Sequence, residues 1–204
     1  MLDSKEDKQQ KQINRWYTLV SKLYNYSMKK NEFPLAREEL IERLNIAPND
    51  RVIEIGTGNG KNLAYYPKNA EYYCTDINPK MIQKAKKRAR KINSLDAHFI
   101  QANAKKLRFE DNFFDKAILT YALSAIPNNE QALAEIKRVV KPGGHIGIID
   151  FTNLEPLCLG GVAGINLYNL THDQEGLNIT HKDVINPWVQ RRKDHQMMYI
   201  LKVE

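Results

Sequence analysis

Apolar positions from Gln12 to Lys30 recur at helical spacing: Ile13, Trp16, Tyr17, Val20, Leu23, Tyr24 and Met28 share one face. Phe33-Pro34 breaks this pattern, and a second helix opens at Pro34 or Leu35 and runs through Leu40, Ile41 and Leu44. The pattern then changes to short apolar runs of the kind that buried strands show. Strands are predicted at Arg51–Ile55, Glu71–Thr75, Ala97–Gln101, Phe114–Thr120 and His145–Phe151. Helical segments are predicted between them. One runs from Lys61 to Tyr66 and stops at Pro67. A second starts at Asn78-Pro79 with a stripe of Met81, Ile82, Ala85, Ala89 and Ile92. A third runs from Glu130 to Val140 and is closed by Lys141-Pro142-Gly143-Gly144. Beyond Asp150 the reading is a helix over Leu157–Leu170 and a final strand over Gln196–Val203.

Strands that alternate with helices predict an α/β fold, a doubly wound and mostly parallel sheet with right-handed crossovers. The aromatic helix ahead of it reads as an extension. The expected division is an N-terminal helical lid or extension over 1–48 and one domain over 49–204.

Composition narrows the setting. The 204 residues are 42% hydrophobic and 27% charged, as in ordinary globular proteins, and no apolar run is long enough to span a bilayer. The N-terminal segment is polar and has no signal-like apolar core, so a cytoplasmic protein is expected. Cys74 and Cys158 are 84 positions apart and form no metal-binding spacing; reduced thiols are expected, and no metal site. Net charge is +7, with seven Lys or Arg and no acid from Lys80 to Lys91. Such a run is either a solvated face or a surface for an anionic partner.

The chemistry concentrates in Val52-Ile53-Glu54-Ile55-Gly56-Thr57-Gly58-Asn59-Gly60. A strand that ends in a glycine turn is where an α/β fold holds a cofactor, because backbone without Cβ atoms can approach a ligand closely. A dinucleotide fingerprint needs its third glycine five positions after the first, and Lys61 stands there. The phosphate-binding GxxxxGK[ST] pattern is absent. Glu54 beside the turn suits a cationic or zwitterionic ligand better than a pyrophosphate.

This stretch resembles the first motif of the class I S-adenosylmethionine (SAM)-dependent methyltransferases. Cys74-Thr75-Asp76-Ile77-Asn78-Pro79-Lys80-Met81 resembles that family's second-strand motif, and Glu135 to Gly144 resembles its helix and turn before the fifth strand. The resemblance covers about residues 50–151 and implies SAM as the cofactor of an enzyme. It places Glu54, Gly56, Thr57, Gly58 and Gly60 in the cofactor turn and Asp76, Ile77 and Met81 beside it. Asp76 would accept from both ribose hydroxyls, although a helix-capping role also fits its position. Asn103 and Ala104 would meet the adenine; the family often has an acid where Asn103 stands. Tyr121 would line the methionine part and the substrate mouth, and core packing suits it equally well.

The acceptor is less legible. Methyl transfer from a sulfonium needs orientation and a dry pocket more than a base, and no catalytic residue is assigned. His98 and His145 lie in predicted strands and read as structural. Trp16, Tyr17 and Tyr24 resemble the aromatic lid helix of lipid-directed members, phosphatidylethanolamine N-methyltransferases and ubiquinone/menaquinone C-methyltransferases among them. The expectation is a small-molecule or lipid acceptor, first a phospholipid head-group amine, with peripheral contact to an anionic membrane. A quinone-type or other small-molecule C/O/N-methyltransferase, an RNA methyltransferase and a non-catalytic SAM-binding subunit are the alternatives. No nucleic-acid module is visible, and the oligomeric state is not legible.

Overall fold

A computed structural model describes residues 34–152, 176–184 and 195–204. The aromatic helix expected over 12–30, with Trp16, Tyr17 and Tyr24, lies outside the described residues, as does the helix expected over 157–170. Three helices are described: α1 (Pro34–Leu44), α2 (Pro79–Ala89) and α3 (Asn129–Val139). The strands are β1 (Arg51–Ile55), β2 (Glu71–Asp76), β3 (Asp96–Gln101), β4 (Phe114–Thr120), β5 (Val140–Thr152), β6 (Leu177–Val184) and β7 (His195–Val203).

They form one seven-stranded sheet in the order β3-β2-β1-β4-β5-β7-β6. The first five strands pair in parallel, and β7 runs antiparallel to both β5 and β6. The chain order reverses between β1 and β4. In such sheets that reversal opens a crevice at the carboxyl ends of the strands, where ligands bind.

Strand alternation decides what each face carries. On β1, Ile53 and Ile55 join a core with Leu133, Ile136 and Val139 of α3. Val52 points the other way, into a core with Leu40, Ile41 and Leu44 of α1, together with Ile118 of β4 and Ile149 of β5. α1 approaches the sheet closely because β5 has no side chain at Gly147. A Cβ there would lie 2.8 Å from Leu44 Cδ1 and 3.0 Å from Leu40 Cδ1.

Three local expectations differ from the structure. The helix expected over 61–66 is a single 3-10 turn, Asn62–Ala64. Gly60 before it and Pro67 after it leave too little chain for an α-helix. The helix expected to reach Val140 ends at Val139, and Lys141-Pro142-Gly143-Gly144 lies inside β5 rather than before it. There the register against β4 slips between the Phe114–Val140 and Lys116–His145 pairs, so the segment acts as a bulge. Strand β6 was not anticipated at all. Its regular pairing with β7 is itself interrupted between Ile179 and His181. Among the described residues, no helix is long and apolar enough to cross a membrane.

Candidate functional site

The glycine turn emerges from β1 at the carboxyl edge of the sheet. Gly56, Gly58 and Gly60 have φ of +70°, +54° and +76°, which L side chains rarely adopt. Space forbids side chains as well. A Cβ on Gly56 would lie 2.6 Å from Ala122 Cβ, and one on Gly60 would lie 2.6 Å from Leu63 Cδ1 and 3.2 Å from Ala85 Cα. The turn is thus pressed between the loop after β4 and helix α2. Thr57 N–H donates to the Thr75 carbonyl at 2.8 Å, which ties the turn to β2.

Glu54 shares its face of β1 with Val52, so its carboxylate points toward α1 and is buried, 2% exposed. It is held on both oxygens. Thr57 Oγ1 donates at 2.6 Å and Asn62 Nδ2 donates at 2.6 Å. Asn62 Nδ2 also donates to Thr120 Oγ1 at 2.9 Å. Arg37, one turn into α1, donates through one guanidinium nitrogen to Asn62 Oδ1 at 2.5 Å and to Thr120 Oγ1 at 2.7 Å. Burial pushes the Glu54 carboxyl above the usual carboxylate range, while its hydrogen bonds and the Arg37 charge pull it back. The Tyr66 hydroxyl is buried nearby and makes no hydrogen bond among the described residues; burial and the Glu54 charge push it well up.

Asp76 closes the other side of the turn from the tip of β2. Its Oδ2 accepts from Gly58 N–H at 2.9 Å and its Oδ1 from Asn78 N–H at 2.8 Å. Capping of α2 falls instead to Asn78, whose side chain accepts from Lys80 N–H. Burial raises the Asp76 carboxyl above its ordinary value, and the two backbone donors pull against that. Each carboxylate oxygen keeps a further lone pair for a ligand hydroxyl.

The remaining sequence-predicted residues gather less tightly. Ile77 and Met81 are half-buried at the start of α2. Asn103 is exposed, and its Oδ1 accepts from Lys105 N–H at 3.0 Å, a local turn contact. Ala104 packs partly buried against the α3-side core. Tyr121 is buried at the end of β4 with φ of +55°, and its N–H donates to the Ile149 carbonyl at 2.7 Å. The Arg37 guanidinium sits 5.1 Å from its ring centroid. A bulky residue in left-handed backbone is strained and persists only where its surroundings hold it.

Sequence reasoning missed Arg37, Asn62 and Thr120. Thr120 shares a strand face with Ile118, which packs on the α1 side like Val52; period-two reading could have grouped Thr120 with Glu54. It also missed Asp150, wholly buried at the carboxyl end of β5, whose oxygens accept from Ser124 N–H at 3.0 Å and Ser124 Oγ at 2.7 Å. His145 lies at the opposite end of the sheet, paired in register with Lys116. Burial lowers its proton affinity, as do Lys116 and Lys202.

Residues 53–148 match the family of the methyltransferase domain Methyltransf_11. Over that segment, a little under half of the chain, the sequence is similar to a methyltransferase domain. SAM is the cofactor that such a domain implies. The ubiquinone/menaquinone biosynthesis C-methyltransferase UbiE of Vibrio cholerae is 31% identical over 117 residues, a match that covers 54% of this chain and 45% of that protein. The chain spans about half the length of the curated relatives it matches. Among solved structures, a SAM-dependent methyltransferase from Aquifex aeolicus is similar with a TM-score of 0.68 at 19% identity, covering 87% of this chain and 98% of that one. The [4+2]-cyclase SpnF has a TM-score of 0.75 at 16% identity, covering 95% and 96%. At these identities the structural likeness is one of fold, and the methyltransferase fold alone does not fix the reaction.

Proposed function

We propose that this protein is a SAM-dependent methyltransferase acting on a small-molecule acceptor. The observation that carries the reading is the Gly58 N–H bond to Asp76, which sets a half-buried carboxylate directly against the glycine turn. In this reading Asp76 receives the ribose hydroxyls, and Gly56, Thr57, Gly58 and Gly60 let the cofactor lie along the backbone. Glu54 acts behind the turn: it fixes Thr57 and the chain at Asn62. Ile77 and Met81 flank the nucleoside, Asn103 and Ala104 meet the adenine, and Tyr121 borders the methyl group. The bound sulfonium supplies an activated methyl. The protein's own part is to orient the acceptor in line with it and to exclude water.

For the acceptor, the names of the relatives favour a ring carbon of a quinone-type molecule over a phospholipid amine. The amine stays as the second reading, supported by the basic α2. Lys80, Lys84, Lys86, Lys87, Arg88, Arg90 and Lys91 are exposed, and none is in an ion pair among the described residues. That surface suits peripheral contact with an anionic membrane, with Trp16, Tyr17 and Tyr24 as a lid. The test is purified protein with methyl-labelled SAM, offered demethylated quinone precursors in detergent or phosphatidylethanolamine vesicles. Label in the quinone is expected. Label only in lipid would favour the amine. No S-adenosylhomocysteine (SAH) binding and no transfer to either would remove the enzyme reading.

A further inference from the structure

Arg37 lies outside the segment that matches the methyltransferase domain, yet it is wired into the turn. It is 7% exposed, in a helix whose other inward residues are Ala36, Leu40, Ile41 and Leu44. A cation in that position costs desolvation and persists only with partners. Its partners come from two separate places: Asn62 after the glycine turn, and Thr120 with the ring of Tyr121 at the end of β4.

The amide of Asn62 has two ends, and they are not equivalent. Its Nδ2 can donate to Glu54 only when its Oδ1 faces away, and Arg37 is the donor that meets Oδ1 there. Rotating the amide by half a turn would set its oxygen against the Glu54 carboxylate and its NH2 against the guanidinium. Both contacts would then repel. Arg37 therefore selects one of two orientations, and that orientation supplies Glu54 with its second hydrogen bond. The same guanidinium nitrogen holds Thr120, directly before the left-handed Tyr121.

We propose that Arg37 is a positioning residue for the cofactor turn, acting through Asn62 on Glu54 and through Thr120 on the end of β4. It makes α1 part of the cofactor site although α1 precedes the whole matched segment. This proposal rests on the SAM-binding reading given above. It is distinct from a role in packing, because the apolar contacts of α1 come from Leu40, Ile41 and Leu44.

The test measures SAH affinity by calorimetry, and apo stability by thermal unfolding, in Arg37→Gln, Arg37→Lys, Asn62→Ala and the Arg37→Gln/Asn62→Ala double variant. Arg37→Gln is expected to weaken SAH binding by about tenfold, the scale of a lost charge-assisted bond. Arg37→Lys keeps the charge but not the planar fork and should fall between it and the wild type. Since Arg37 and Asn62 share the route to Glu54, the double variant should lose less affinity than the sum of the two single losses.

A pH signature separates positioning from packing. Among the described residues, the titratable groups that face Glu54 are Arg37 from α1, Tyr66 after the 3-10 turn and Cys74 from β2. Arg37 is the one cation among them. Its loss should make SAH affinity fall more steeply as the pH is lowered than in the wild type. Folded Arg37→Gln with wild-type affinity and wild-type pH dependence overturns the proposal, as do additive losses in the double variant. If Arg37→Gln fails to fold, Arg37→Lys with wild-type affinity does the same. A wild-type protein that binds no SAH would instead sink the cofactor reading itself.

Discussion

Two carboxylate clusters stand at opposite edges of the same sheet, and they are built from similar groups. At the carboxyl edge, Glu54 is held by Thr57, Asn62 and, through Asn62, by Arg37. At the amino edge, Glu71 meets His98 Nε2 at 2.9 Å and accepts from the Tyr73 hydroxyl at 2.8 Å, with Asp96 Oδ1 3.8 Å from the same His98 nitrogen. The glutamate, aspartate and histidine ligand atoms at that end all lie within 4.8 Å of one another. As a set of chemical groups it looks more like a functional site than the Glu54 cluster does. Burial separates them. The side chains of Glu71, His98 and Asp96 are 32%, 48% and 68% exposed, so water competes for every contact. Glu54 has no such alternative, and its partners must be supplied by the fold. What marks the site is where buried polar groups were forced to find one another, not how many ionisable groups sit close.

This contrast can be broken by substitution. The largest effect is expected for Glu54→Gln. Its new NH2 would face either the Thr57 hydroxyl or the Asn62 amide, both of which now donate. One buried donor then lacks an acceptor, at about 1–3 kcal/mol. Chemical denaturation should show that loss, with SAH binding weakened by more than about tenfold. Unchanged stability and affinity would mean that the network carries no energy.

Asp76→Asn comes next. It removes the charge that the ribose hydroxyls would meet, which predicts a loss of about 10- to 100-fold in SAH affinity, from the roughly 1.5–3 kcal/mol of a charged hydrogen bond. The pH dependence has a defined sign. Burial raises the carboxyls of Asp76 and Glu54, so both take up protons at higher pH than free carboxylates. Ribose hydroxyls donate to the charged form, so SAH affinity should fall as the pH falls into that raised range. Asp76→Asn should flatten the profile. For the fold alone the sign reverses: a carboxyl with a raised folded value costs stability once it ionises, and that cost is relieved as the pH falls. A profile that is flat in the wild type would place the ribose elsewhere.

The smallest effect belongs to the other cluster. Glu71→Gln should change stability by less than about 1 kcal/mol and leave SAH affinity untouched. An effect on cofactor binding as large as that of Asp76→Asn would erase the distinction between the two ends.

The sequence showed the line of the backbone better than the wiring across it. Arg51–Ile55, Phe114–Thr120 and the start of α2 at Asn78-Pro79 were legible because each is local: an apolar run, a turn and a capping residue. The cofactor turn was legible for the same reason. The contacts of Arg37 with Asn62 and Thr120 bridge 25 and 83 positions, and no spacing rule reports such distances. Strand β6 escaped because Leu177-Asn178-Ile179-Thr180-His181-Lys182-Asp183-Val184 mixes polar and apolar residues without a clean period, and among the described strands β7 alone pairs with it. The family resemblance located Asp76 and the glycines but had nothing to offer on α1.

The place of β7 in the sheet has a consequence for how the protein is made. β7 lies between β5 and β6, so among the described residues the outer edge of β5 is covered by residues 195–203. During synthesis β5 is complete some forty residues before that strand exists (from Thr152 to His195). Until then a long apolar strand presents unpaired backbone at an open edge, a template for pairing with other chains. Ribosome-bound chains halted before residue 195 should therefore recruit chaperones, or aggregate on release, more readily than chains halted after residue 203.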